Sequence, residues 1–121
     1  TKTRAQAIAP IDPNSAARRE ADLGVECINC AVCYAACDVV THQPSYLGPA
    51  TLNRAWTLMN DERDGAHGER LRLVSRFNGC HNCHSQQGCS QYCPNELNPT
   101  RSIAGLKRMA TRAILKGTLA R

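Results

Sequence analysis

Apolar residues recur along this chain at helical rather than strand spacing. Leu52, Trp56 and Met59 stand at i, i+4 and i+7, and Pro49 is placed to begin their helix. Near the end, Ile103, Leu106, Ala110, Ala113 and Ile114 share one face; Arg101, Lys107, Arg108, Arg112 and Lys116 occupy the other. Asn98 is the expected cap of that helix and Pro99 its first residue. The run 15–23 reads as a helix capped by Asn14 or Ser15 and stopped by Gly24. A further helix over 68–74 is expected to bury Leu71 and Val74, and a very short one to carry Ala31, Val32, Tyr34, Ala35 and Ala36. Asp61-Glu62-Arg63-Asp64-Gly65 should end the Pro49 helix, and 41–48 should be a loop around Pro44. No stretch alternates with period two, so the expected fold class is all-α. Residues 1–13, with Pro10 and Pro13, are expected to form an extended arm, and 14–121 a single small domain.

Composition makes that domain short of core. Aromatic residues are only 4% of the 121 positions, so metals or partners are expected to supplement burial. No apolar run approaches the roughly 20 residues that a membrane-crossing helix needs. The formal charge is +5 with the cysteines counted as thiols. Two thiolate-bound clusters of about −2 each would bring the chain close to neutral. The basic side chains also lack the aromatic interleaving that nucleic-acid stacking uses, so no nucleic-acid partner is expected.

The chemistry lies in eight cysteines. Cys27-x2-Cys30-x2-Cys33-x3-Cys37 has the ligand spacing of bacterial-type ferredoxins. The second group is Cys80, Cys83, Cys89 and Cys93, followed by Pro94. A secreted disulfide framework would spread its cysteines, whereas these leave the gap from Cys37 to Cys80. Zinc is the competing metal, with His42, His67, His81 and His84 available, but intervals of 2, 2 and 3 are crowded for a tetrahedral ion.

Counted back from Cys93, the second run is Cys83-x2-Gln86-x2-Cys89-x3-Cys93, a copy of the first with an amide in one thiolate position. In two-cluster proteins the fourth cysteine of a run ligates the other cluster. Cys27, Cys30, Cys33 and Cys93 are therefore expected to hold a 4Fe-4S cluster. Cys37, Cys83 and Cys89 would hold a 3Fe-4S cluster, because Gln is a poor ligand for iron. Fewer thiolates favour a higher potential, as suits an acceptor late in a relay. Cys80 lies outside this scheme: it reads as a buried free thiol, with a fourth ligand to the second cluster as the alternative.

The same residues resemble the C-terminal ferredoxin domain of the iron–sulfur subunit of succinate dehydrogenase/fumarate reductase, respiratory complex II. The resemblance runs through Glu26–Cys37, Tyr46-Leu47-Gly48-Pro49-Ala50, Asp61–Asp64, Cys83-His84 and Cys89–Pro99, covering roughly 24–110. It implies an alpha-helical ferredoxin domain with 4Fe-4S and 3Fe-4S clusters. It further implies electrons passing from FAD through 2Fe-2S, 4Fe-4S and 3Fe-4S to a membrane quinone. His84 matches a family position near the quinone pocket. The implied partners are a 2Fe-2S-bearing half or subunit, a flavoprotein and membrane anchor subunits. The implied place is peripheral on the matrix side of the inner mitochondrial membrane, or the cytoplasmic face of a bacterial inner membrane.

The chain departs from that pattern in specific places. Asp38 stands where the family usually has proline after the fourth cysteine, and Val39, Val40, Thr41 and His42 stand where many succinate dehydrogenases place tryptophans. The plant-type 2Fe-2S domain is not in this sequence. Either this is a fragment, or that half is a separate polypeptide; Thr at position 1 and an acid-poor, transit-like start make the C-terminal half of a split mitochondrial subunit the attractive reading. The chain has no nucleophile or acid–base constellation of its own; its enzymatic part is expected to be electron transfer within an oxidoreductase. Other expected classes are a heterodisulfide-reductase-like or glycolate-oxidase-like subunit, a free ferredoxin, and a zinc-stabilised interaction module.

Overall fold

The computed structural model describes residues 5–119, and among them every regular element is helical. In chain order these are α1 (Ala16–Val25), α2 (Val32–Ala35), α3 (Asp38–His42), α4 (Gly48–Met59), α5 (His67–Val74), a 3-10 turn (Cys80–Asn82), α6 (Gly88–Gln91) and α7 (Pro99–Leu115). The expected all-α class is what the chain adopts. No described helix is long and apolar enough to cross a membrane. Residues 5–13 form no helix and are largely exposed; the rest of the expected arm, 1–4, lies outside the described residues.

The helix ends follow local chemistry. Ser15 Oγ accepts the Arg18 N–H at 3.0 Å and caps α1. Asn98 Oδ1 accepts the Arg101 N–H at 3.1 Å and caps α7, with Pro99 in the first turn. Pro49 sits likewise in the first turn of α4. A proline there gives up no intrahelical bond, since those N–H groups have no partner in any case.

α4 is the centre of the fold, flanked by α1 and α7. Gly24 does not stop α1 as the sequence led us to expect; the helix continues to Val25. Its missing side chain serves packing, because a Cβ there would lie 1.9 Å from Thr57 Oγ1 on α4. Gly105 does the same on α7: a Cβ would lie 2.4 Å from the Trp56 ring. Trp56 Nε1 donates to Glu20 Oε2 at 3.1 Å, and Ser102 Oγ to Asn53 Oδ1 at 2.8 Å, so each flanking helix is also bonded to α4. Leu52, Ala55, Trp56, Val74, Ile103 and Leu106 form the core with Tyr46 and Cys80.

The expected apolar faces are only partly buried at their ends. Met59, Leu71, Ala113 and Ile114 are half-buried rather than core. The loop expected over 41–48 begins as the end of α3, which holds Val39 and Val40 against the core. Arg18 is 6% exposed, contrary to the usual fate of a helix arginine. Ion pairs to Asp22 at 2.9 Å, Glu62 at 3.1 Å and Asp61 at 3.6 Å offset its desolvation and tie α1 to the turn after α4.

Candidate metal centre

The two cysteine runs fold alike. In the loop from Cys27 to Cys33, Asn29 and Ala31 have φ of 57° and 62°; in the loop from Cys83 to Cys89, Ser85 and Gln87 have φ of 60° and 65°. Left-handed residues thus fall two and four places after the leading cysteine in both. A four-residue helix follows each, α2 and α6, at the same offset. In this register Gln86 stands where the first loop has Cys30. Non-glycine residues rarely adopt positive φ, and paired occurrences turn several backbone N–H groups toward one concave side, as in anion-binding nests.

Each loop lines its own recess. Cys27, Cys30 and Cys33 line the first together with Cys93, which arrives from the end of the second run. Asn95 Nδ2 donates to the Glu26 carbonyl at 2.7 Å and ties that segment to the first loop. Cys83 and Cys89 line the second recess together with Cys37 from the end of the first run. Gly88 permits this approach, since a Cβ there would lie 2.8 Å from the Ala36 carbonyl oxygen. The second recess has a volume of about 320 Å³; the first is tighter, about 20 Å³. His84 and Gln86 line the second recess and are exposed, and Asp38 stands beside them. Cys80 lines neither recess; it is fully buried in the apolar core, and that burial pushes its thiol pKa up.

The donor chemistry fits iron–sulfur clusters. All eight cysteines are free thiols. Burial, with added repulsion from Cys27, Cys89 and Cys30, pushes the Cys33 thiol up to about 11, against a lowering from the Tyr34 N–H. The thiols that share a recess need a cationic centre to ionise together, and binding one would draw the protons off. A single zinc ion would need its sulfurs within about 2.3 Å of one point. Among the described residues no three His, Cys, Asp or Glu side chains converge in that way. A multi-iron core accepts each thiolate on a different iron, so it tolerates the wider spread.

The second recess carries polar groups that spacing did not disclose. Tyr46 is 2% exposed and its hydroxyl stands beside Cys83. Burial first, then the nearby Cys83, Cys37 and Cys89 sulfurs, push its pKa well above the usual phenol value, so it keeps its proton. The Ser85 N–H donates to Cys83 Sγ at 3.4 Å, and Thr100 Oγ1 lies 3.2 Å from Cys89 Sγ. Lys107 Nζ donates to the Cys83 carbonyl at 2.6 Å, placing an ammonium group beside the ligand loop. Hydrogen bonds to sulfur and nearby positive charge raise cluster potentials. Lys107 had seemed one cation of a basic helix face; only the folding of α7 over the loop singles it out.

A 4Fe-4S dicluster domain profile matches residues 26–98. The chain belongs to the 4Fe-4S dicluster domain family. Among its relatives, the mitochondrial succinate dehydrogenase (ubiquinone) iron-sulfur subunit of Candida glabrata is 38% identical over 92 residues, 75% of this chain and 36% of that protein. The succinate dehydrogenase iron-sulfur subunit of Paracoccus denitrificans is 37% identical over 99 residues, 81% and 38%. The fumarate reductase iron-sulfur subunit of Escherichia coli O6:H1 is 34% identical over 93 residues, 77% and 38%. This dicluster chain thus spans well under half the length of these relatives.

Proposed function

We propose that this chain is the quinone-side electron-transfer module of a succinate:quinone or quinol:fumarate oxidoreductase. Cys27, Cys30, Cys33 and Cys93 hold a 4Fe-4S cluster; Cys37, Cys83 and Cys89 hold a 3Fe-4S cluster. When bound, the clusters supply one-electron chemistry. The protein fixes their separation through the exchanged Cys37 and Cys93 and excludes water with Tyr46, Ile103 and the start of α4. Tyr46, Thr100 and Lys107 favour the reduced state at the second recess. His84, exposed at its rim, offers a ring N–H or a proton to a quinone oxygen. The 2Fe-2S half, the flavoprotein and the membrane anchor are separate from this stretch, and attachment to the membrane is peripheral, through the anchor.

The observation that carries this reading is the shared backbone of the two loops with Gln86 in the place of Cys30. The test is metal analysis with EPR on the purified holo-chain. About seven irons per chain and the signal of an oxidised three-iron cluster are expected. Zinc without visible absorbance, or two four-iron signals on reduction with none when oxidised, would overturn it.

A further inference from the structure

Beside Cys89 runs a chain of hydroxyls whose proton order can be read from one end. Asn98 Oδ1 lies 3.1 Å from the Arg101 backbone nitrogen and 2.8 Å from Ser90 Oγ. A backbone N–H can only donate, so the Asn98 atom that meets it is the carbonyl oxygen and not the amide nitrogen. That oxygen has no proton to give, so the Ser90 hydroxyl donates to it. Ser90 has one proton, and this short contact takes it, which leaves Ser90 Oγ as an acceptor toward its other neighbour. That neighbour is Thr100 Oγ1 at 3.2 Å, and Thr100 Oγ1 also stands 3.2 Å from Cys89 Sγ. Thr100 therefore has one hydroxyl proton and two acceptors at equal distance. Ser90 Oγ is itself 3.9 Å from Cys89 Sγ, with its proton already engaged. Cys89 is buried, and Ser90 and Thr100 are half-buried. The first loop has Tyr34 in register with Ser90, and the Tyr34 ring packs toward Gly48, where a Cβ would lie 2.5 Å from it.

We propose that Ser90 is a positioning residue for electron transfer: held as an acceptor by Asn98, it gives the Thr100 hydroxyl a second direction, and that hydroxyl turns from Ser90 Oγ to Cys89 Sγ when an electron reaches the second recess. The inference rests on the iron–sulfur function proposed above and deepens it. Cys89 as an iron-bound thiolate has no proton, so between it and Thr100 only the hydroxyl can donate. An added electron makes the sulfur a stronger acceptor, and charge-assisted bonds are roughly twice as strong as neutral ones. The neutral Ser90 oxygen gains nothing from the electron. The proton stays on Thr100 Oγ1 throughout: no covalent bond forms or breaks, and the electron comes from the first recess in the relay proposed above. Thr100 thus favours the reduced state. Ser90, by bonding the same hydroxyl in the oxidised state, opposes it. Two neighbours in one network therefore act on the potential with opposite signs.

The test is a potentiometric titration of the oxidised three-iron EPR signal in the holo-chain, with iron measured on every sample. Thr100→Val should lower the reduced-to-oxidised ratio at the parent's midpoint by at least about threefold, or about 30 mV for one electron. Thr100→Ser keeps the hydroxyl and should stay within about 1.5-fold of the parent. Ser90→Ala should raise the ratio by at least about twofold. Ser90→Ala added to Thr100→Val should change nothing further, because the hydroxyl through which Ser90 acts is gone. A fall in Ser90→Ala would put the Ser90 proton on Thr100 or on sulfur and overturn the proposal. Additive effects in the double variant would overturn it too. If Thr100→Val takes up no iron, the direction of the Ser90→Ala shift decides alone. A parent without the three-iron signal would sink the proposed function and this inference with it, whereas full iron and signal with unmoved potentials would sink this inference only.

Discussion

Gly105→Ala would place a methyl group between the two helices that back both recesses. Its Cβ would lie 2.4, 2.5 and 2.8 Å from three ring carbons of Trp56. Ordinary carbon–carbon contact is about 3.5–4.0 Å, so the ring or the helices have to give by about 1 Å. The ring has little freedom: it is 9% exposed, and its Nε1 is bonded to Glu20. Overpacking costs about 1–3 kcal/mol, and a rigid aromatic obstacle puts this case at roughly 2–3. Against it, alanine in a helix interior gains about 0.8–1.0 kcal/mol over glycine. The net expectation is a loss of about 1–2 kcal/mol, or roughly 4–10 °C in Tm for a domain of this size. Circular dichroism melting of the holo-chain measures it, with cluster absorbance followed in parallel. Thr100 and Ile103, from the first turns of α7, line the second recess, so the absorbance should be lost at the lowered temperature too. Gly68→Ala is the control, since nothing lies within 4 Å of its Cβ; its Tm should hold or rise slightly. An unchanged or higher Tm for Gly105→Ala would refute the close α4–α7 packing on which the site's placement rests.

Gln86→Cys should raise iron from about seven to eight per chain and abolish the oxidised three-iron EPR signal, because the loop already has the backbone of its four-cysteine counterpart; unchanged iron and signal would count against the register. Cys80→Ala should lose about 1–2 kcal/mol of stability through a small core cavity while keeping full iron, whereas a loss of iron would make Cys80 a ligand. Acid should destabilise the fold through Asp61. Its carboxyl is held well below the usual range by the Arg63 hydrogen bond, with Arg18 adding attraction. A depressed folded-state pKa means stability that is complete above about pH 4 and fades as pH falls further. Tm measured from pH 6 to 3 should therefore fall less steeply in Asp61→Asn than in the parent, and parallel curves would remove Asp61 from the account.

What the sequence disclosed was whatever depends on neighbours along the chain. The cysteine intervals, the Asn98-Pro99 start of α7 and the Leu52–Trp56 stripe are local patterns; α7 begins at Pro99 and Leu52 and Trp56 are in the core, as expected. Gly24 was misjudged because a glycine at a helix end and a glycine at a helix crossing look the same until Thr57 arrives from α4. Nothing along the chain marks Arg18 for burial, because its acidic partners Asp61 and Glu62 lie more than forty positions away. The end of α3 was hidden for another reason: five residues give a weak periodic signal, and what holds Val39 and Val40 is the core beneath them.

The same distinction explains how two near-identical loops can differ in chemistry. Their backbones share two left-handed positions and the short helix that follows, so the motif alone would predict equivalent sites with one ligand changed. The difference that spacing cannot carry comes from elsewhere in the fold. Tyr46 reaches Cys83 from the segment before α4, Thr100 reaches Cys89 from the first turn of α7, and Lys107 reaches the Cys83 carbonyl two turns later. The thiols of the first loop have no hydroxyl or ammonium partner among the described residues; Cys27 Sγ has only Asn29 Oδ1, at 3.9 Å. Donors and a cation gathered at one recess stabilise added negative charge there and not at the other. In the relay proposed above, tertiary placement of three residues, added to the missing thiolate at Gln86, would set a downhill direction from the first recess to the second, toward the exposed rim where His84 stands.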